Sequence, residues 1–333
     1  MRAFILERYG RKDGARIGDV ARPQLRDDDV LIQVHAASIN ALDSKIIHGE
    51  FKFILPYRLP LILGNDVAGV VVKVGPHVQR FKIGDEVYAR PDKDRIGAFA
   101  ELIAVNEADL SSKPNTLTME EAASIPLVGL TAWQALIEKA QIRKGQRVLI
   151  HAGSGGVGTF AIQLAKHLGA FVATTTSTAN VEWVKRLGAD VVIDYRKDDF
   201  EKMLADYDVV INSLDAATLR KSLRVLRPGG RLISISGPPD ADFGKELGLP
   251  RFLSLAMFLL SYRIRKEAKR LKVSYSFLFM RASGDQLRQI TSLIDAGVVR
   301  PVVDRIFPFD SIREAMAYVD SGRTKGKVVV KMR

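Results

Sequence analysis

The chain has 333 residues, 47% hydrophobic and 26% charged, with no cysteine and a net charge of +12 from 50 Lys and Arg against 38 Asp and Glu. That length predicts two domains with a sizeable core, and the missing thiols exclude disulfides, cysteine nucleophiles and thiolate-held metals. The opening "MRAFILERYG" does not read as a signal peptide, and the longest greasy run, "FLSLAMFLL" (252–260), is too short to span a bilayer, so a cytoplasmic protein is expected.

Residues 1–120 read as short strands rich in Val and Ile: "DVLIQVHAASI" (29–39), "DVAGVVVKVG" (66–75) and "DEVYAR" (85–90). They predict an irregular β-barrel. From about 118 the texture turns helical, with Thr118 and Glu121 spaced as a capping box. Strands and helices then alternate from "RVLIHA" to "PGGRLISIS", which predicts a doubly wound parallel sheet. The end of the chain reads as a helix "GDQLRQITSLIDAG", a strand "VVDRIF", a helix "DSIREAMAYVDSG" and a strand "GKVVVKM".

The loop in "VLIHAGSGGVGTFAIQLAKHLGA" (148–170) admits two chemistries. A nucleophile elbow would use Ser154, but its base should lie well downstream, and the five histidines are His35, His48, His77, His151 and His167. A dinucleotide cradle fits better. Gly153, Gly155 and Gly158 match G-x-G-x-x-G between a strand and a helix, with Ser154, Gly156 and Val157 completing the loop. The backbone there can approach a pyrophosphate, whose charge meets the helix N-terminus. NAD sites usually carry an acid at the end of the next strand; here it reads "TTTSTAN" (174–180). Ser177 and Thr178 are therefore candidate ligands of a 2′-phosphate, and NADPH is expected, although both residues could equally cap the next helix.

The barrel, "GNDVAGVVVKVG", "GDEVYA", "AGSGGVG" and "AIQLAKHLGA" together resemble the medium-chain dehydrogenase/reductase (MDR) family over essentially the whole chain. The resemblance implies a GroES-like catalytic domain over 1–122, a Rossmann domain over 123–272 and a return to the catalytic domain over 273–333. It also implies a homodimer. Where zinc members carry His-Glu, this chain has Asn65-Asp66, so no metal is expected. "SINALDSKIIHGEF" (38–51) and "YSFLFMRASGDQLRQITSLIDAG" (275–297) resemble the zinc-free quinone oxidoreductases and enone or alkenal reductases. That branch implies hydride transfer to a quinone or to the β-carbon of an α,β-unsaturated carbonyl.

By the same resemblance, Asn40 and Lys45 line the reaction site, with Lys45 near either the substrate carbonyl or the nicotinamide ribose, and Asp43 holds their loop. Thr131, Phe277, Leu278, Phe279 and Lys327 match positions near the nicotinamide, and Tyr195 matches one beside the adenine or 2′-phosphate. Asn180 stands where related enzymes often carry a phosphate-binding Lys. The segment 251–272 has an apolar half and a basic half; it reads as a helix packed on the Rossmann domain with a solvated basic tail, in preference to a membrane-surface contact. The alternative function is a low-turnover NADPH-binding protein acting through RNA or a protein partner, which the charge permits but no aromatic-interleaved RNA motif supports.

Overall fold

Strand β1 (Arg2–Leu6) buries Phe4, Ile5 and Leu6 and pairs antiparallel with β2 (Ala15–Asp19). The computed structural model describes residues 1–10, 14–52, 55–246, 248 and 250–332, with Arg251 described by its backbone alone. The first unit continues through β3 (Asp29–Ile39), α1 (Ala41–His48), β4 (Leu61–Ile62), β5 (Val67–Val74), β6 (Glu86–Ala89), β7 (Leu102–Asn106), β8 (Leu110–Ser112) and α2 (Met119–Ala123). The Thr118–Glu121 capping box is formed: each side chain accepts the other residue's backbone N–H. Helix α3 (Pro126–Trp133) then leads into a π-helical turn, Gln134–Lys139.

The second unit is a regular alternation. Its elements are β9 (Arg147–Ile150), α4 (Gly156–His167), β10 (Phe171–Thr176), α5 (Val181–Lys185), β11 (Val191–Asp194), α6 (Phe200–Met203) and β12 (Tyr207–Asn212). There follow α7 (Ala216–Arg224), β13 (Leu226–Ser234), α8 (Ala241–Glu246), α9 (Arg251–Leu260), α10 (Tyr262–Arg270) and β14 (Ser274–Phe277). The six strands form one wholly parallel sheet in the order β11-β10-β9-β12-β13-β14. The chain winds outward from β9 to β11, then returns to β12 on the other side of β9. That reversal opens a crevice at the carboxyl ends of β9 and β12, the place where open parallel sheets bind ligands. Leu149, Ala173, Val210, Leu223 and Leu232 form the core of this unit.

The chain then returns to the first unit as α11 (Gly284–Asp295), β15 (Val303–Pro308), α12 (Ile312–Asp320) and β16 (Lys327–Lys331). Strand β16 pairs antiparallel with β3, joining a sheet in the order β15-β16-β3-β5-β6-β8, with β7 also on β3. The core here combines both ends of the chain: Val30, Ile32, Val67 and Phe99 pack with Ile312, Val328 and Val330.

Two expectations change. The compact units divide at 130/131 and 280/281, eight residues beyond each expected boundary. The physical reason at the second is β14, which hydrogen-bonds to β13 as the sixth strand of the parallel sheet. The segment 251–272 is also two helices, broken at Ser261, which ends α9 and precedes α10. Its basic half is the part that packs, through buried Ile264 and Ala268 in the core of the second unit. Its apolar half is largely exposed, the reverse of a packed helix with a solvated tail.

Replacing Ile264 with Ala should therefore cost about 2–5 kcal/mol, as for a buried aliphatic side chain. Leu259→Ala, on the exposed helix, should stay within about 0.5 kcal/mol of the parent. Urea midpoints of the two variants check this pair.

Candidate functional site

The glycine loop follows β9, at the crevice. A Cβ on Gly153 would lie 2.2 Å from the Thr174 Oγ1, and one on Gly158 would lie 2.2 Å from the Ala152 carbonyl oxygen. Only glycine lets the loop and helix approach so closely. A Cβ on Gly155 would meet just the Ala152 oxygen, at 3.3 Å, so the loop faces open space there. Gly155 is also the N-cap of α4 and offers no side chain to the first-turn N–H groups. Donors left unfilled by the protein, at the positive end of a helix, fit a pyrophosphate. The residues present thus fit a dinucleotide.

His151 braces this loop from behind. Ser222 Oγ spends its hydrogen on the Thr218 carbonyl at 2.7 Å, so it accepts from His151 Nε2 at 2.9 Å. His151 Nδ1 is then the unprotonated nitrogen and accepts from Thr175 Oγ1 at 3.1 Å. Thr175 Oγ1 in turn accepts the N–H of Ala152, the first residue of the loop, at 3.3 Å. Burial pushes the imidazole down to about 4, so the ring is neutral. With both ring nitrogens engaged, His151 cannot serve Ser154 as a base, and the elbow chemistry has no support.

Ser177, Thr178, Tyr195 and Phe277, also expected at the cofactor, lie at strand ends on the same carboxyl edge. Ser177 follows β10, and its side chain does not cap the short turn after it. Its Oγ accepts from Asn180 Nδ2 at 3.1 Å and keeps its own hydrogen to donate. Asn180 Oδ1 accepts from Trp183 Nε1 at 2.9 Å, so this amide is committed to the fold. Thr178 sits beside Asp194, whose carboxyl is held below its usual range by the Thr178 hydroxyl, the Arg196 N–H and Lys197. The sequence offered no acid at the end of β10; the structure supplies one from β11, in register with Thr176. Tyr195 is exposed after β11. Phe277 ends β14 and, with Phe279, packs on Phe243 at ring separations of 5.1 and 5.5 Å. Leu278 and Thr131 are buried, the latter on α3.

In the first unit, Asn40 and Lys327 meet at a residue the sequence reading passed over as a catalytic candidate, Asp66. The buried Lys327 ammonium donates to the Asn40 Oδ1 at 2.5 Å, the Ile39 carbonyl at 3.0 Å and Asp66 Oδ2 at 3.3 Å. Asp66 Oδ2 also accepts from Ser38 Oγ at 2.7 Å and Asn40 Nδ2 at 2.8 Å, and Asp66 Oδ1 accepts the Leu127 N–H in the first turn of α3 at 2.7 Å. Asp43 accepts the Asn40 N–H and an Asn65 amide hydrogen, both at 2.8 Å. Burial raises Asp43 to about 6 and lowers Lys327 from the usual lysine range. Lys45 stands apart, half-buried late in α1, with its ammonium 6.0 Å from the Phe51 ring centre. One signal for Asp66 and Lys327 was available: each is a lone charge in an apolar strand run, "GNDVAGVVV" and "GKVVV". Buried charges need partners, and these have opposite sign.

Residues 26–115 match the alcohol dehydrogenase GroES-like domain and residues 187–330 match a family described as zinc-binding dehydrogenase. The chain is 34% identical to the mitochondrial NAD(P)H oxidoreductase RTN4IP1 of Danio rerio, over 99% of this chain and 91% of that protein. It is 35% identical to the 2-methylene-furan-3-one reductase of Solanum lycopersicum, over 99% of this chain and 79% of that one. The quinone oxidoreductase of Coxiella burnetii superposes with a TM-score of 0.87 at 30% identity, over 100% and 99% of the two chains. The chain belongs to the medium-chain dehydrogenase/reductase family. Its first unit is the GroES-like domain of that family and its second the Rossmann domain. Zinc held by thiolate does not fit this MDR chain: it has no cysteine, and among the described residues no group of three His, Asp or Glu side chains is placed to hold a metal. Among those residues no helix is long and apolar enough to cross a membrane.

Lys327→Met should destabilise the protein by about 3–5 kcal/mol, because Asp66 is left buried without its counter-charge. Adding Asp66→Asn should recover part of that loss; strictly additive losses in urea unfolding would show that the two do not act as a pair. A second expectation concerns pH. The depressed His151 value means its contribution is full above about 6.5 and is lost as pH falls towards about 4. The span corresponds to about 3 kcal/mol. Asp43 and Asp109, both raised to about 6, act in the opposite sense and lose stability as pH rises through that value. The difference between the parent and His151→Gln stability curves isolates the histidine, and that difference should shrink on acidification.

Proposed function

We propose that this MDR protein is a zinc-independent, NADPH-dependent reductase of quinones or α,β-unsaturated carbonyls. The observation that carries the reading is the glycine cradle at the crevice of the parallel sheet, in a chain whose catalytic-domain site is built around the buried Lys327–Asp66 pair. The similarity to a quinone oxidoreductase and to a furanone reductase supports this substrate class. When bound, the dinucleotide supplies a hydride from its reduced nicotinamide.

The chain's own residues bind, orient and polarise. The open N-terminus of α4 and the Gly153–Gly158 backbone hold the pyrophosphate. Ser177, with a hydroxyl hydrogen to give, holds the 2′-phosphate, and the Lys197 ammonium 3.7 Å from Asp194 offsets the acid nearby. Phe277 and Phe279 form the apolar wall on the nicotinamide side, where Thr131 also acts, and Tyr195 stands at the adenosine end. Asn40 has both ends of its amide engaged, so it positions the start of α1 and does not itself bind the substrate. Lys45, carried on that helix with no carboxylate bonded to it among the described residues, is the donor that stabilises negative charge developing on the substrate carbonyl oxygen.

The test is oxidation of NADPH, with NADH alongside, by an ortho-quinone, a long-chain ubiquinone analogue, a short alkenal and a cyclic enone. Turnover with NADPH is expected on at least one acceptor. Lys45→Met should lower kcat on the order of a hundredfold, and Ser177→Asp should weaken NADPH selectively while sparing NADH. No turnover on any acceptor, with NADPH binding intact, would sink the reductase reading.

A further inference from the structure

The segment 251–272 takes no part in the chemistry above, yet its surface is unusual. Twelve large hydrophobic side chains are exposed among the described residues, and half of them fall within 252–262. Scattered apolar residues on a surface need no explanation, whereas a concentrated patch does. On α9, Phe252, Leu255 and Leu259 recur at helical spacing, and Tyr262 extends the stripe onto α10. Phe258 and Leu260 flank it. Phe252 is 69% exposed, Leu259 63% and Leu260 65%, while Met257 is the one buried residue described on this helix.

The neighbouring helix has the opposite character. Arg263, Lys266, Lys269, Arg270 and Lys272 are exposed, and the sole acid of the run, Glu267, lies 3.7 Å from Arg224. Arg265 turns back across the joint: its guanidinium sits 3.9 Å over the Phe258 ring and donates to the Phe258 carbonyl at 2.8 Å. The apolar stripe and the cationic run are thereby fastened side by side.

We infer that α9 and α10 form an anchor for a bilayer surface that bears anionic headgroups. Ten residues of helix measure about 15 Å, which is too short to cross a bilayer and suited to lying flat at the acyl boundary. The apolar side chains enter that boundary and the cations meet the headgroups. Charge complementarity selects this occupant over a second copy of the chain. A two-fold contact through the same patch would set two cationic runs against each other, on molecules that already carry +12 each.

The test is co-sedimentation of the full chain with vesicles of phosphatidylcholine alone and of phosphatidylcholine and phosphatidylglycerol in equal parts. Retention on the anionic vesicles at low salt is expected, with weaker retention on the neutral ones. Leu255→Glu combined with Leu259→Glu should lower partitioning by about tenfold or more with the melting temperature unchanged, since both side chains are already exposed. Lys266→Glu combined with Lys269→Glu should remove the preference for anionic lipid. No retention on anionic vesicles would overturn the inference, as would undiminished retention of the leucine variant. Self-association that the leucine substitutions abolish, without lipid binding, would assign the patch to a second copy and equally overturn it.

Discussion

Everything in the GroES-like domain converges on the burial of one carboxylate. Asp66 sits in an apolar sheet and accepts from a hydroxyl on β3, an amide at the start of α1, the first turn of α3 and an ammonium on β16. A charge buried without such partners would cost more than a small domain can spare. The carboxylate therefore dictates where four segments must meet. It also fills one of the unpaired N–H positions of α3, where a negative charge is favoured by the helix dipole.

Much of this was legible in the sequence, for stated reasons. The glycine spacing and the β-α alternation are local patterns, and local patterns survive in one dimension. The parallel sheet and the glycine turn between β9 and α4 therefore stand where expected. The lone charges in "GNDVAGVVV" and "GKVVV" were visible too, but their pairing spans 261 residues, and no periodicity reports a contact of that range. Asp194 is not legible in this way because the usual acid belongs at the end of β10, whereas adjacent parallel strands bring the end of β11 to the same place. The break at Ser261 escaped because "FLLSYRIRK" has no proline or glycine to announce it; the serine instead bonds back to the Met257 carbonyl at 2.9 Å and receives Arg265.

The Rossmann domain shows how a loop of small residues gains rigidity that it cannot supply itself. The hydrogen-bond chain from Ala152 through Thr175, His151 and Ser222 to Thr218 runs in one direction, each hydroxyl donating onward from the one it accepts. Only one tautomer of the imidazole satisfies it. The loop is thus tied to α7 by hydrogen bonds that need no ligand to form. Such preorganisation lowers the ordering cost of binding.

The GroES-like domain is assembled from both ends of the chain, and this has a consequence for biosynthesis. A ribosome delivers Asp66 well before Lys327, with the whole Rossmann segment between them. Until β16 emerges, the β3–β5 sheet lacks both a neighbouring strand and the ammonium that balances its carboxylate. The Rossmann segment, contiguous in sequence, meets no such delay and can complete its sheet as soon as β14 has left the exit tunnel. The nascent chain therefore carries a finished nucleotide-binding fold between two unfinished halves of its partner domain. Strand β16 must arrive before the β3–β5 sheet and its buried carboxylate are complete.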